Sequence, residues 1–477
     1  MSGVQMWLVL GYVAAIFAVG VWAKRFVETT EDFLLAGRRL GWVLATAALA
    51  ATHFGGGFVI GTGAWAYEYG LSGIAYALGV GLSLLLLAMV AAGRMRRLGL
   101  TTVPDYLAYR YRSQAARLLG ASLSLLAIVG ILGAQVWASQ GALSLLGVDP
   151  TTAAIVASLA FIVYTTASGL WGATLTDVVQ LAVIFVGIPW VAVGGLEAIG
   201  GFSGLSEALA SQEPALDQGD YFSWVGGGGL LLAGAVLPTV MYTLIGQDFY
   251  QRLFAAKSER VAVAAAILAG LLLMAYAAFP ALTGMAARGL FGATIEPSQA
   301  VATVVTEVLG VWAGAIVLGA IIAAILSTAD SLLIAGTAHL IHDIGEKSLG
   351  LSLAPKQQLL VSRVSTVLIG VLALGLALGM QTIIELLLLS YTMYAAGVFI
   401  PVVLGLYWSG GTAPGAVAGI VVGAMVGAAA SVGWLPVGGW PAIVVGALAS
   451  LLAYWAVSVA KPDPSRFETD GAKSRHD

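Results

Sequence analysis

The sequence predicts an all-α polytopic membrane protein with about 13 transmembrane helices, at roughly 20 apolar residues per span. Three observations carry that expectation. Hydrophobic residues make up 60% of the 477 and charged residues 9%, against about 25% charged in a soluble domain. Apolar runs bounded by charge, glycine or proline recur along the chain. Lys and Arg gather in alternate connectors, as the positive-inside rule requires of a spanning protein. The 62 glycines favour close helix approach. The lack of cysteine excludes disulfides, cysteine-ligated metal and thiol chemistry.

In order, the run 4–23 is preceded by no basic residue and followed by Lys24 and Arg25, so it reads as a retained helix rather than a signal peptide. The run 42–67 contains the Gly55–Gly57 triplet, and 72–93 stops at Arg94. After 116–140 come 151–169 and 172–195, divided by a short Gly-Leu-Trp-Gly turn. The connector 196–221 carries Glu197, Glu207, Glu213, Asp217 and Asp220 without a basic residue. Further runs fall at 222–246, 261–287, 311–338, 364–380, 382–408, 413–432 and 438–459, before a charged tail at 460–477. The segments 24–41, 94–117, 247–260, 339–363 and 460–477 hold every Lys and Arg except Arg288. This places them in the cytoplasm and the N-terminus outside, in a multi-pass protein of the cell (inner) membrane. No polar stretch accommodates a soluble catalytic domain and no G-x-x-x-x-G-K-[ST] loop appears, which argues against an enzyme or an ATP-driven pump.

Polar groups at membrane depth are costly and mark pathways or sites. His53, Asp177, Asp330 and Glu385 qualify, with the hydroxyls of Thr52, Thr176, Ser327, Thr328 and Ser331. Adjacent glycines weaken a helix by about 1 kcal/mol each, so the triplet after His53 either interrupts the span and frees carbonyls for an ion or only admits a neighbouring helix. In A-A-I-L-S-T-A-D-S, Ala324 shares a helical face with Ser327 and Thr328. Neutral oxygens so placed suit a monovalent hard cation, sodium above all; alternatively the hydroxyls bond back to carbonyls one turn earlier. Asp177 is a cation ligand or an anchor in a first helical turn. Asp330 lies on another face from Thr328, and a meeting with Asp177 requires a second cation or a proton. Glu385 reads more readily as a dipole-stabilised outer residue than as a gate or solute contact. His53 abuts the glycines as a pocket residue or a bonded core histidine.

Five segments resemble the sodium/solute symporter family: T-T-V-P-D-Y-L-A-Y-R-Y at 101–111, Y-T-T-A-S-G-L-W-G-A-T-L-T-D-V-V-Q at 164–180, G-Q-D-F-Y-Q-R-L-F-A-A-K at 246–257, A-A-I-L-S-T-A-D-S at 323–331 and G-L-Y-W-S-G-G-T-A-P-G-A-V-A-G at 405–419. The resemblance implies a LeuT-type fold, a 5+5 inverted repeat. Residues 1–41 then form an extra helix and loop, 42–195 the first repeat, 196–221 the outer acidic loop, 222–408 the second repeat, 409–459 two C-terminal helices and 460–477 the tail. The second and seventh spans are expected to be broken, the seventh near Gly226–Gly229 and Pro238. The implied sodium site uses the carbonyls of Ala51, Phe54 and Ala324 and the hydroxyls of Ser327 and Thr328. Asp177, Asp330 and Ser331 match a second cation or exit site, although Asp330 stands where relatives often have a neutral hydroxyl.

T-H-F-G-G-G at 52–57 is similar to the high-affinity choline transporter branch. That branch surrounds a quaternary ammonium with tryptophans, and Trp137 matches one wall. His53 and Gly246 replace two others, which weakens cation-π attraction and argues against choline. The solute-binding candidates are therefore His53, Gly55, Gly56, Gly57, Trp137 and Gly246. The expected function is a sodium-coupled secondary symporter importing a small organic solute by alternating access, with the bilayer as its setting and neither nucleic acid nor an obligatory protein partner. The alternatives are a proton-coupled carrier of the same fold, with Asp177, Asp330 or His53 titrating, a solute-binding membrane sensor and a channel.

Overall fold

A computed structural model describes residues 3–144, 147–212, 217–379 and 383–462. The tail beyond residue 462, Glu213 and the side chain of Glu385 lie outside the described residues. The helices run as α1 Gly3–Trp22, α2 Thr30–Leu35, α3 Trp42–His53, α4 Thr62–Tyr69, α5 Ala75–Leu87, α6 Gly93–Arg97, α7 Val103–Tyr111 and α8 Gln114–Ser144. They continue as α9 Pro150–Ala198, α10 Gly201–Ala210, α11 Gln218–Tyr221, α12 Gly228–Thr243, α13 Gln247–Ala255, α14 Glu259–Tyr276, α15 Ala278–Phe291 and α16 Ala300–Glu307. The last are α17 Val311–Ala338, α18 Pro355–Gly379, α19 Ile383–Gly405, α20 Ala413–Ser431 and α21 Ala442–Ala460. Among the described residues there is no strand, only an isolated bridge between Leu40 and Ala256.

Ten of these helices or continuous helix runs are long and apolar enough to cross a membrane, or eleven if the bent pair α12–α13 is one span. The expected count of thirteen is therefore not established by helix length alone. The difference lies where breaks and junctions blur the spans. The 12-residue α3 is too short by itself, and residues 57–97 run together as one 41-residue stretch. The 49 residues of α9 would reach about 74 Å as a straight helix, more than twice the roughly 30 Å of hydrocarbon. Gly169, at φ 52° and ψ −143°, kinks α9 at the expected turn.

Two interruptions set the site. Helical geometry fails at Phe54 and Gly55, and the chain resumes through wide turns at Gly57–Gly61 that lead into α4. The second interruption is at Leu244–Gly246, where α12 and α13 bend by 45°. It is not at Pro238, which α12 accommodates within the helix, nor at the glycine run, which lies at the start of α12. Gly246 adopts an extended conformation, φ −63° and ψ 120°, and redirects the chain.

Helix α17 is the most enclosed span and packs against α9, α8, α1 and α3. Small residues allow such approaches. On α20, Gly415, Gly419, Gly423 and Gly427 recur every four residues against α19 and α21. A Cβ on Gly423 would stand 2.4 Å from the Ala396 carbonyl oxygen and 2.7 Å from Ser450 Cβ.

The end of the bundle where Lys and Arg gather is tightly bonded. Leu40 N–H donates to the Ala255 carbonyl (3.0 Å) and Lys257 N–H to the Leu40 carbonyl (2.9 Å). Arg96 caps the Ala256 carbonyl at 2.7 Å. Arg117 meets Asp105 at 2.9 Å. Burial pushes the Asp105 carboxyl up, but the hydrogen bond and charge of His342, with Arg117 and the Thr101 N–H, hold it below its ordinary range.

Gly423→Val should overpack the α19–α20–α21 contact at a cost of about 1–3 kcal/mol. The expected result is a lower melting temperature of the detergent-purified protein, while Gly375→Val, at a position open to its surroundings, leaves the melting temperature near that of the parent.

Candidate functional site

The interruption at Phe54 and Gly55 leaves carbonyls at the end of α3 without a helical continuation, and α17 supplies the partners. The Ser327 hydroxyl is shared between the carbonyls of Ala51 (2.9 Å) and Ala324 (3.0 Å). The Thr328 hydroxyl is shared between those of Thr52 and Ala324, both at 3.1 Å. The hydroxyls thus bond back along α17 and also reach across to α3. The cross-helix acceptors are Ala51 and Thr52. Phe54 receives neither hydroxyl, and its ring is buried against Phe58 and Tyr276. Gly55 permits the approach, since a Cβ there would lie 2.5 Å from Thr328 Oγ1.

One turn along α17, Ser331 joins this oxygen cluster to buried charges. Its hydroxyl bonds the Ser327 carbonyl at 2.6 Å and lies 3.2 Å from the Thr52 hydroxyl. It also accepts a hydrogen bond from Arg252 of α13. The Arg252 side chain is 0% exposed and lies 3.6 Å from Asp177, also 0% exposed. Its other nitrogens donate to the carbonyls of Ala48 (3.2 Å) and Asp248 (2.8 Å). Asp330 accepts from Tyr164 at 2.7 Å and from Ser331 at 3.3 Å. The structure therefore brings Asp177, Asp330 and Ser331 into one network.

Asp177 is not an anchor in a first turn: it is fully buried inside α9, eight residues past Gly169. Arg252 is not a solvated connector charge, because α3, α9 and α17 enclose it. Its signal was a basic residue flanked by Tyr250, Leu253 and Phe254, a setting in which a solvated arginine is out of place.

Around the first interruption, His53 Nε2 lies 3.2 Å from the Thr243 hydroxyl, which also bonds Ser83 at 2.9 Å. The imidazole stacks on Phe249, with centroids 4.1 Å apart. Phe249 meets Tyr242 edge-on, and Tyr242 stacks on Tyr391 at 4.7 Å. Gly246 sits under this group, its would-be Cβ 2.9 Å from Phe249 and 3.0 Å from Tyr242. Gly57 faces the Tyr76 hydroxyl, and Gly56 faces Gln135 and Ala138 of α8. The Gln135 side-chain oxygen is buried without a hydrogen-bond partner.

Trp137 is placed differently from expectation. It is 47% exposed, and at 100° per residue it lies about 200° around α8 from Gln135. The helix face next to the glycines belongs to Gln135 and Ala138. An amide in the apolar run 116–140 was the available signal for Gln135.

The family model for the sodium:solute symporter family matches residues 33–423. The chain belongs to that family. Among curated relatives, the human high affinity choline transporter 1 is 28% identical over 438 residues, covering 85% of this chain and 73% of the relative. The Escherichia coli sodium/pantothenate symporter is 29% identical over 472 residues, covering 93% and 94%. A solved Na+-coupled sialic acid symporter superposes with a TM-score of 0.85 at 21% identity, covering 97% of this chain and 98% of its own, and shows the fold. The protein is a multi-pass membrane transporter of LeuT-type fold and not an enzyme.

Arg252→Met should leave two buried carboxylates without their cation and destabilise the protein by about 3–5 kcal/mol. Adding Asp177→Asn should recover part of the melting temperature lost. Equal melting temperatures for the single and double variants would show that Arg252 and Asp177 are not coupled.

Proposed function

We propose that this sodium-coupled symporter imports a small organic solute, with sodium seated where α17 meets the end of α3. The observation that carries the reading is the pair of α17 hydroxyls directed into carbonyls at the interruption. Sodium would replace those hydroxyl protons as the partner of the Ala51 and Ala324 carbonyls. Ser327 and Thr328 would turn their lone pairs on the ion, with the Phe54 carbonyl of the same interruption completing the set. Neutral oxygens bind a monovalent cation weakly enough to release it. Ion binding draws α3 to α17, and a preference for the state in which they are joined is the source of coupling.

The solute pocket adjoins the ion, bounded by His53, Gly55–Gly57, Gln135, Tyr76, Phe249 and Gly246. An imidazole, an unpaired amide oxygen and aromatic rings suit a small polar solute with a π-compatible or cationic portion. One sodium moving down 100 mV and a tenfold gradient supplies about 3.7 kcal/mol in all. That supports roughly 500-fold accumulation of a neutral solute at one-to-one coupling.

A second cation is favoured by the Asp177–Asp330–Arg252 network, in which two carboxylates face one guanidinium. A second sodium or a proton would balance it on the ion's way out. In this reading 42–195 and 222–408 form the two inverted repeats. The Lys- and Arg-rich face lies in the cytoplasm of a cell whose inner membrane the protein spans, with the N-terminus outside.

The test is thermal stabilisation of the purified protein against a solute library, in sodium and again in potassium, which reads ligand and ion through binding linkage. A solute that raises the melting temperature only in sodium is expected. In Ser327→Ala/Thr328→Ala, the sodium concentration for half-effect should rise at least tenfold, about 1.4 kcal/mol. Equal shifts in sodium and potassium that instead follow pH, and are abolished by Asp330→Asn, would overturn the sodium reading in favour of proton coupling.

A further inference from the structure

On the basic face, a second cluster stands apart from the transport site. Ligand atoms of Asp105, His342 and Asp343 all lie within 4.8 Å of one another. Asp105 belongs to α7, and the two others to the wide-turned His339–Ser348 continuation of α17. His342 Nε2 is 2.7 Å from Asp105 Oδ2. Its other ring nitrogen, Nδ1, faces Glu346 Oε2 at 3.3 Å.

A carboxylate behind an imidazole whose second nitrogen meets further carboxylates is the arrangement that orients metal-bound histidines. The remaining groups are held in place around it. Asp105 Oδ1 is paired with Arg117. Asp343 accepts from the Thr102 hydroxyl at 2.8 Å, and its second oxygen lies 2.8 Å from His339 Nδ1. Each carboxylate oxygen has two lone pairs: Asp105 Oδ2 uses both, on the Thr101 N–H and on His342, whereas Asp105 Oδ1 and the two Asp343 oxygens each have one such contact.

Three carboxylates, those of Asp105, Asp343 and Glu346, gather about His342, and Arg117 pairs with Asp105 alone; a metal ion would stand where a proton on the imidazole otherwise balances them. A cleft of about 220 Å³, lined in part by Arg38, Thr101, His342, Glu346 and Gln358, opens onto the imidazole and supplies an entry path.

The geometry points to a divalent transition-metal site of the zinc class at Asp105, His342 and Asp343, with Glu346 as the carboxylate behind the imidazole. One imidazole and two carboxylates with an open position toward a cleft is a donor set that zinc accepts. Metal binding displaces the proton shared between His342 and Asp105, and their 2.7 Å contact opens by about 0.6 Å, to the roughly 3.3 Å between adjacent ligands of one tetrahedral zinc ion. The ion then fastens α7 to the end of α17. Because Gln247 of α13 bonds Val103 N–H and the Thr101 carbonyl, the second broken helix is held to the same point.

The experiment uses the full chain, tag removed and stripped with a chelator, titrated with zinc chloride by calorimetry and with cobalt(II) by visible absorption. One ion per chain is expected, with a cobalt spectrum of low-coordinate intensity and a melting temperature raised by zinc. His342→Gln retains an amide that can bond Asp105 and should weaken binding at least tenfold and abolish the zinc-induced melting shift. Glu346→Gln, behind the imidazole, should weaken binding by about 10–100-fold; it carries the test if His342→Gln fails to fold. No saturable binding, or the same affinity in the variants as in the parent, would overturn the proposal and leave a proton on His342 as the balance for the carboxylates.

Discussion

A helix interrupted at membrane depth must find partners for the backbone groups its missing turns would have bonded, because lipid offers none. The structure around residues 51–57 is organised by that requirement. The carbonyls of Ala51 and Thr52 receive the Ser327 and Thr328 hydroxyls. The same hydroxyls satisfy Ala324 in their own helix, which ties α3 to α17 without introducing charge. Gly55 leaves room for Thr328, and the burial of α17 keeps competing water away. A site that supplies its own hydrogen bonds in this way is polar enough for a small cation yet satisfied without one.

The charged network one turn away follows another logic. Two carboxylates and a guanidinium removed from solvent carry a desolvation cost that only close pairing offsets. Arg252, rooted in α13, meets it by contacting three other elements at once: the Ala48 carbonyl on α3, Asp177 on α9 and Ser331 on α17. Ser331 belongs to both clusters, so a change in hydroxyl orientation at the neutral oxygens is felt by the guanidinium.

Much of this was legible in the sequence where the signal is local. Apolar runs mark the spans, and the spacing of Ala324, Ser327 and Thr328 places three oxygens on one face whatever surrounds them. The glycine triplet marks the first interruption, although which carbonyls the hydroxyls reach depends on the angle between α3 and α17, and that is tertiary. The sequence points to Gly226–Gly229 and Pro238 for the second interruption, helix breakers in isolation, whereas the extended backbone at Gly246 makes the bend. Arg252 falls in the segment 247–260, where a basic residue is usually solvated; only its enclosure by three other helices shows otherwise. Trp137 was matched from a motif that carries no helical phase, and the turn of α8 brings Gln135 to the glycines instead.

The paired backbone bonds between Leu40 and the end of α13 hold the entry to one broken helix against the exit from the other. Helices α3 and α13 begin and end within two or three residues of that bridge, so it works as a yoke. A rotation of either half-helix about its interruption is transmitted to its twin with little slack, unless two hydrogen bonds are given up. The two half-helices are thus joined twice, by Arg252 to the Ala48 carbonyl toward the centre of the bundle and by the amide and carbonyl of Leu40 at its basic end.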